Sequence, residues 1–203
     1  SYNTACGNNA LLNNTTASNN TASGYDALYS NTTGDRNTAV GRDALYTCST
    51  HAANVAIGFE AMKLNTANSN TAVGAYAMDA NTTGGDNSAF GSQSLGANTT
   101  GASNVAFGVS ALGANTTADY NTAVGGSALF SNTTGIRNTA SGYQSLYSNT
   151  TAGYNTASGY MALYTTTTGD QNVAIGYKAL TSNTTGVRNT ASGVDALKNN
   201  TTG

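Results

Sequence analysis

The stretch NTASGYDALYSNTTGDR, residues 20–36, is followed at residue 37 by NTAVGRDALYT, which begins the same phrase again. The opening Asn recurs at every seventeenth position, and only the interval from Asn54 to Asn70 is shorter, by a single position. Twelve copies fill the chain, so the sequence predicts one repeat domain over residues 1–203 with no linker. The copies start at Asn3, Asn20, Asn37, Asn54, Asn70, Asn87, Asn104, Asn121, Asn138, Asn155, Asn172 and Asn189.

The twelve copies, numbered from the opening Asn as position one, contain fixed and variable positions. Position three is always Ala, position five is always Gly, and position nine is Leu or Met. Positions twelve to fourteen read Asn-Thr-Thr in most copies, whereas positions six, seven, ten, sixteen and seventeen vary freely. In a solenoid, inward positions contact the equivalent positions of neighbouring coils, and outward positions face water or a partner. The pattern therefore predicts a solenoid.

The spacing of small and apolar residues favours strands over helices. A repeat of this length is too short for a helix pair, and a Gly inside a helix would cost about 1 kcal/mol. The segment NTAVG, residues 37–41, alternates and predicts a short strand with Ala39 directed inward, whereas NTTG is typical of a turn. The segment DALYS, residues 26–30, fits a second short strand or one helical turn, and we predict the strand, with Leu28 in the core.

These elements predict an all-β fold, a parallel β-solenoid of twelve 17-residue coils. Strand spacing of about 4.8 Å would make the rod about 55–60 Å long. Only 8% of the residues are charged and the net charge is −2, which favours neither a soluble enzyme nor a nucleic-acid-binding protein. No apolar run approaches the ~18 residues of a membrane span, so we predict no membrane insertion. Because the sequence begins at Ser1, we expect a processed chain or part of a longer one.

Three segments carry a resemblance to a known family: NTAVGRDAL (residues 37–45), NVAIGFEAM (54–62) and NVAIGYKAL (172–180). They resemble the head repeats of YadA-like trimeric autotransporter adhesins, and the whole phrase is similar to repeats of phage and bacterial tail-fibre proteins. The resemblance implies a left-handed β-roll, three chains packed side by side, and a place outside the cell, on its surface or in a virion fibre. The adhesin coil is shorter by three residues, which lie in the SNTTG turn of this repeat.

Residues suited to catalysis or metal binding are few, and we predict no enzyme, no cofactor and no metal. His51 is the only histidine and has only Cys48 near it, so it is interpreted as a solvated loop residue. Cys6 and Cys48 match no disulfide framework or metal spacing. A column of acidic residues at position seven is interpreted as a solubilising face; its members are Asp26, Asp43, Glu60 and Asp195.

Two outward columns are candidate contact surfaces. The first is an apolar ladder at position four, which predicts an interface: Val40, Ile57, Val73, Phe90, Phe107, Val124 and Ile175. The second is an aromatic strip at positions six and ten: Tyr143, Tyr160, Tyr177, Tyr147 and Tyr164. Two interpretations of the tyrosines remain open, namely packing against a neighbouring turn or chain, and binding of a sugar or a surface.

The Asn-Thr-Thr turn supplies a column of Asn-x-Thr glycosylation acceptor patterns. One interpretation is a glycosylated outer edge, and the other is an Asn ladder with hydrogen bonds between coils. The candidate acceptors are Asn14, Asn31, Asn81, Asn98, Asn115, Asn132, Asn149, Asn183 and Asn200.

The leading functional hypothesis is a structural segment of an extracellular fibre or adhesin, a rod whose length is set by its repeat count. Its expected partner is itself, in a side-by-side trimer or a head-to-tail filament, since Ser1 placed after Gly203 continues the repeat frame. Glycans or a host surface are further candidate partners, and nucleic acid is not. The alternative is an ice-binding or carbohydrate-binding solenoid that uses Thr or Tyr ladders, because position two is Thr in eight copies, Ser in one and Val in three.

Overall fold

The computed structural model describes residues 2–203, and every strand in it has three residues at positions two to four of a repeat. The strands form one parallel sheet in chain order, with no helix among these residues. This confirms the predicted all-β parallel solenoid, in which each repeat forms one coil. The strands are β1 Thr4–Cys6, β2 Thr21–Ser23, β3 Thr38–Val40, β4 Val55–Ile57, β5 Thr71–Val73, β6 Ser88–Phe90, β7 Val105–Phe107, β8 Thr122–Val124, β9 Thr139–Ser141, β10 Thr156–Ser158, β11 Val173–Ile175 and β12 Thr190–Ser192.

Neighbouring strands pair position for position. Thr21 pairs with Thr38, and Ala22 pairs with Ala39. The register also holds across the short repeat, where Val55 pairs with Thr71. The missing residue therefore lies in the turn, which absorbs the change in length without displacing the strand.

The core consists of three small or apolar columns. In the third repeat these are Ala39 at position three, Ala44 at position eight and Leu45 at position nine, all fully buried. Alanines leave room for only one large side chain per coil, so the Leu or Met column fills the space between the walls. Burial of each Leu contributes about 1.5–3 kcal/mol. Ala39 and Leu28 lie inside, as the sequence predicted.

The predicted second strand over residues 26–30 is wrong, because these residues form a turn. Asp26 and Leu28 have φ angles of 56° and 51°, in the left-handed region, and Arg36 follows with 58°. This conformation disfavours a Leu by about 1–2 kcal/mol. Two features offset that strain: Leu28 is fully buried, and its N–H donates to the carbonyl of Ala44 at 3.0 Å. Left-handed residues bend the chain tightly enough to close such a short coil.

Position five requires glycine for two reasons. Gly41 has a φ of +133°, and a Cβ built on it would lie 2.3 Å from the carbonyl oxygen of Gly58 in the next coil. Neither the conformation nor the spacing tolerates a side chain. This explains why position five is Gly in all twelve repeats.

The adjacent glycines Gly125 and Gly126 offer a matched test. Gly125 has a φ of +135°, and its Cβ would lie 2.6 Å from the Gly142 carbonyl, whereas a Cβ on Gly126 would meet only Tyr143, at 3.4 Å. We expect Gly125→Ala to lower the free energy of unfolding by at least about 2 kcal/mol and Gly126→Ala to change it by less than about 0.5 kcal/mol. Urea unfolding measures both, and equal effects would contradict the close approach of the coils.

Candidate functional site

The repeating geometry of the coil depends on an Asn column at position one, called here the first Asn ladder. The amide of Asn87 donates from Nδ2 to the carbonyl of Gly101, 14 residues later in the chain, at 2.8 Å. Its Oδ1 accepts from the backbone N–H of Asn104 in the next coil at 2.9 Å. One side chain therefore closes its own coil and also binds the next coil.

A second Asn ladder lies at position twelve and connects side chains directly. Asn98 donates from Nδ2 to Oδ1 of Asn81 in the preceding coil at 2.7 Å. It also donates to the carbonyl of Gly101 at 2.9 Å, which is the carbonyl that receives Asn87. Both lone-pair directions of this carbonyl are used. The two ladders therefore meet at position fifteen of this coil.

The second ladder places the candidate glycosylation residues inside the coil. The interior copies are fully buried: Asn31, Asn81, Asn98, Asn115, Asn132, Asn149 and Asn183. Only Asn14 and Asn200, in the terminal coils, are half-buried. This burial argues against the glycosylated outer edge, the first of the two interpretations, because a glycan on Nδ2 would have no path out of the folded coil and would remove the hydrogen bonds. The alternative interpretation, an Asn ladder bonded between coils, is the arrangement seen.

Two substitutions interrupt the second ladder. Cys48 replaces Asn in the third repeat and Thr166 replaces it in the tenth, and both side chains are fully buried. In each case the Asn of the preceding coil loses its donor, so Oδ1 of Asn31 and Oδ1 of Asn149 are buried without a hydrogen-bond partner. A buried polar atom left unpaired costs about 1–3 kcal/mol. The contacts between coils at these two interruptions are therefore the least stable in the second ladder.

The residues around Cys48 form a buried corner of the coil. The Cys48 thiol donates to the carbonyl of His51 at 3.6 Å, and burial raises the pKa of Cys48 to about 11. His51 is half-buried, with Nδ1 enclosed and unpaired, whereas it was interpreted as solvated. Cys6 is exposed on β1 and does not pair with Cys48. The described residues contain no group of three or more His, Cys, Asp or Glu side chains close enough to hold a metal.

Three of the four residues of the acidic column at position seven form ion pairs, and the fourth, Asp26, accepts a hydrogen bond from the amide of Asn9. Lys63 lies 3.6 Å from Asp43 and 3.3 Å from Glu60, and Arg42 lies 3.6 Å from Asp43. Lys198 likewise lies 3.2 Å from Asp195. These pairs reduce the repulsion between stacked carboxylates.

The strand face is the outward surface of the sheet, formed by positions two and four. Phe90 and Phe107 stack there with ring centroids 5.6 Å apart, and Phe107 is 57% exposed. Most of the predicted apolar ladder is exposed on this face: Val40, Ile57, Phe90, Phe107, Val124 and Ile175. Val73 is half-buried. A contiguous exposed apolar column of this kind is typical of a contact surface.

The aromatic strip consists of two separate stacks. At position six, Tyr143, Tyr160 and Tyr177 stack at centroid distances of 5.7 and 5.3 Å. At position ten, Tyr147 stacks on Tyr164 at 5.3 Å. The sequence analysis missed that Phe130 extends this second stack, at 5.4 Å from Tyr147. The signal was available, because Phe130 occupies position ten of the preceding repeat.

The sequence matches no protein-family model and no curated protein. No helix in residues 2–203 has the length and hydrophobicity that a membrane span requires. The functional conclusion therefore rests on the geometry of the ladders and of the strand face.

Restoring the second Asn ladder should stabilise the protein. In Cys48→Asn the new amide can donate to Oδ1 of Asn31 and accept from Asn65, so we expect the free energy of unfolding to rise by about 1–2 kcal/mol. Thermal and urea unfolding measure the gain. Cys48→Ala is the control, because it removes the thiol without supplying a donor. A gain of the same size in Cys48→Ala would contradict the role of the unpaired Asn31.

The two thiols should differ in reactivity. At pH 8 a thiol with a pKa of about 11 has only ~0.1% thiolate, and Cys48 is also fully buried. We expect a thiol-specific disulfide reagent to modify one cysteine, Cys6, in the folded protein and both after denaturation. Peptide mass mapping identifies the modified residue. Rapid modification of Cys48 in the folded state would contradict the buried position of its coil corner.

Proposed function

We propose that the chain is a length-setting rod of an extracellular fibre or adhesin, which associates with further copies of itself. The observation that carries the proposal is the exposed apolar column of the strand face, centred on Phe90 and Phe107. Position-for-position pairing of all twelve strands also supports it, because each added coil lengthens the rod by about 4.8 Å without changing its cross-section.

Side-by-side association is the arrangement that the strand face favours. Val105, Phe107 and Val124 lie on adjacent strands and are all exposed. Burying them against equivalent columns of two other chains would remove this apolar surface from water. The resemblance of NVAIGFEAM, residues 54–62, to adhesin head repeats supports the same trimer.

End-to-end association is a second arrangement, supported by a different observation. All neighbouring strands pair in the same parallel order, so a coil of one chain can pair with a coil of another chain in the same way. A parallel sheet can continue from chain to chain in the same register. This arrangement would yield filaments rather than trimers.

Ice binding remains an alternative prediction for the same face, since the Thr residues of position two point outward in a row. Val55, Val105 and Val173 interrupt that row. Thermal hysteresis and shaping of ice crystals are the measurements for it. The interrupted row supports contact with protein more than contact with ice.

The two assemblies are distinguished by one substitution. In sedimentation the wild-type chain of 20.3 kDa should form trimers, and Phe107→Lys should yield monomers, because a charge at the centre of the strand face prevents burial. Thr100→Lys, on an exposed corner away from this face, is the control and should remain trimeric. Filaments that persist in Phe107→Lys would show end-to-end assembly instead. Wild-type monomers at all concentrations would overturn both arrangements.

A further inference from the structure

A cleft interrupts the column of position ten, where large side chains otherwise follow one another. Gly96 and Gly113 occupy this position in two successive coils, between Asp79 on one side and Phe130 on the other. The missing side chains leave a cavity of about 390 Å³. Its walls also include Tyr76, Gln93, Ala97 and Ser110. The volume lies in the range of small-molecule sites in proteins.

One wall of the cleft is an aromatic face. Phe130 stacks on Tyr147 with an angle of 12° between the ring planes, so one face of its ring is covered. The other side of the ring lies toward Gly113, whose Cβ position would be 3.0 Å from Cε2 of Phe130. Because Gly113 has no side chain, no aromatic ring continues the stack beyond Phe130. This face of Phe130 is therefore free to stack on a ligand.

The opposite wall is a carboxylate. Oδ1 of Asp79 lies 3.7 Å from the Cβ position of Gly96, and burial raises the pKa of Asp79 above its usual value. The nearby cation Lys63 pairs with Asp43 and Glu60, and no ion pair among residues 2–203 involves Asp79. A partly desolvated carboxylate without a close cation favours ligand groups that donate hydrogen bonds.

The side walls supply groups that both donate and accept. Gln93 and Ser110 lie at position seven of the two coils that have Gly at position ten. Both side chains line the cleft. An amide and a hydroxyl can each exchange hydrogen bonds with a ligand hydroxyl. The cleft thus combines an apolar face with a polar rim, and its two end walls, Asp79 and Phe130, lie three coil spacings or about 14 Å apart.

We propose that this cleft binds a pyranose sugar, whose apolar ring face stacks on Phe130 and whose hydroxyls exchange hydrogen bonds with Gln93 and Ser110. A sugar ring has one face of C–H groups and a rim of hydroxyls, which matches the ring of Phe130 and the side chains of Gln93 and Ser110. A purely apolar ring or a simple cation would leave this amide and this hydroxyl unused. The site is separate from the Tyr143–Tyr160–Tyr177 stack and does not depend on the rod assembly.

The test is a titration of the ¹⁵N-labelled chain with methyl β-glucoside, methyl β-galactoside and N-acetylglucosamine, followed by NMR. At least one sugar should shift the amide signals of Gly96, Ala97 and Gly113 with a dissociation constant in the millimolar range, on the order of 1–10 mM. Phe130→Ala and Gln93→Ala should each weaken binding about tenfold or more. Gly113→Tyr should abolish binding, because the new ring would stack on Phe130 and fill the space that the sugar would occupy.

Tyr164→Ala is the matched control, since it removes a ring from the same stack two coils away and should leave the affinity unchanged. Amide spectra of each variant report whether it is folded, and Gln93→Ala serves if Phe130→Ala does not fold. Three outcomes would overturn the proposal: no shift with any of the sugars at 50 mM, about five times the weakest expected constant; shifts that persist in Gly113→Tyr; or shifts at these amides with tetramethylammonium but not with the sugars.

Discussion

Backbone hydrogen bonding between successive coils, at a spacing of about 4.8 Å, is the constraint on which the rest of this structure depends. Each residue has its counterpart directly above and below, so a side chain must fit against a copy of itself. Gly41 and Gly58 are in contact through their backbones, and the Ala and Leu columns of the interior coils are packed without exposure. Buried polar residues also stack on copies of themselves, because their side chains can hydrogen-bond to identical side chains. An amide both donates and accepts, so Asn can stack on Asn without leaving an atom unpaired, which Asp or Lys could not do.

The sequence predicted those parts of the fold that depend on period and residue size. Ala22, Gly24 and Leu28 recur with a fixed spacing, and that spacing alone predicts a parallel sheet and an inward column. The turn over residues 25–30 could not be predicted in this way, because the left-handed conformation of Leu28 contradicts its intrinsic preference and is stabilised only by burial in the finished solenoid. The conformation of this segment is therefore determined by tertiary contacts and not by local sequence preference.

The position of Asn31 illustrates a second limit. Asn followed by Thr-Thr-Gly has the composition of an exposed turn and of a glycosylation acceptor, yet its amide is buried. Only the pairing with amides of adjacent coils distinguishes the two interpretations, and the pairing follows from the stacking geometry. The cleft could be predicted from the sequence only in part. The glycines at 96 and 113 are visible when the repeats are aligned, but the sequence does not reveal that Asp79 and Phe130 border one cavity.

The interrupted amide ladder has a consequence for how the rod bears force. The Nδ2 to Oδ1 bonds of the second Asn ladder join one coil to the next, for example from Asn115 to Asn98 at 2.8 Å. They therefore resist axial tension together with the strand pairing. At Cys48 and Thr166 these amide bonds are missing, although Thr166 donates from Oγ1 to the carbonyl of Asn183 in the next coil at 2.9 Å, and the load falls on the remaining bonds. A stretched rod should consequently yield first at these two steps, which divide it into three segments.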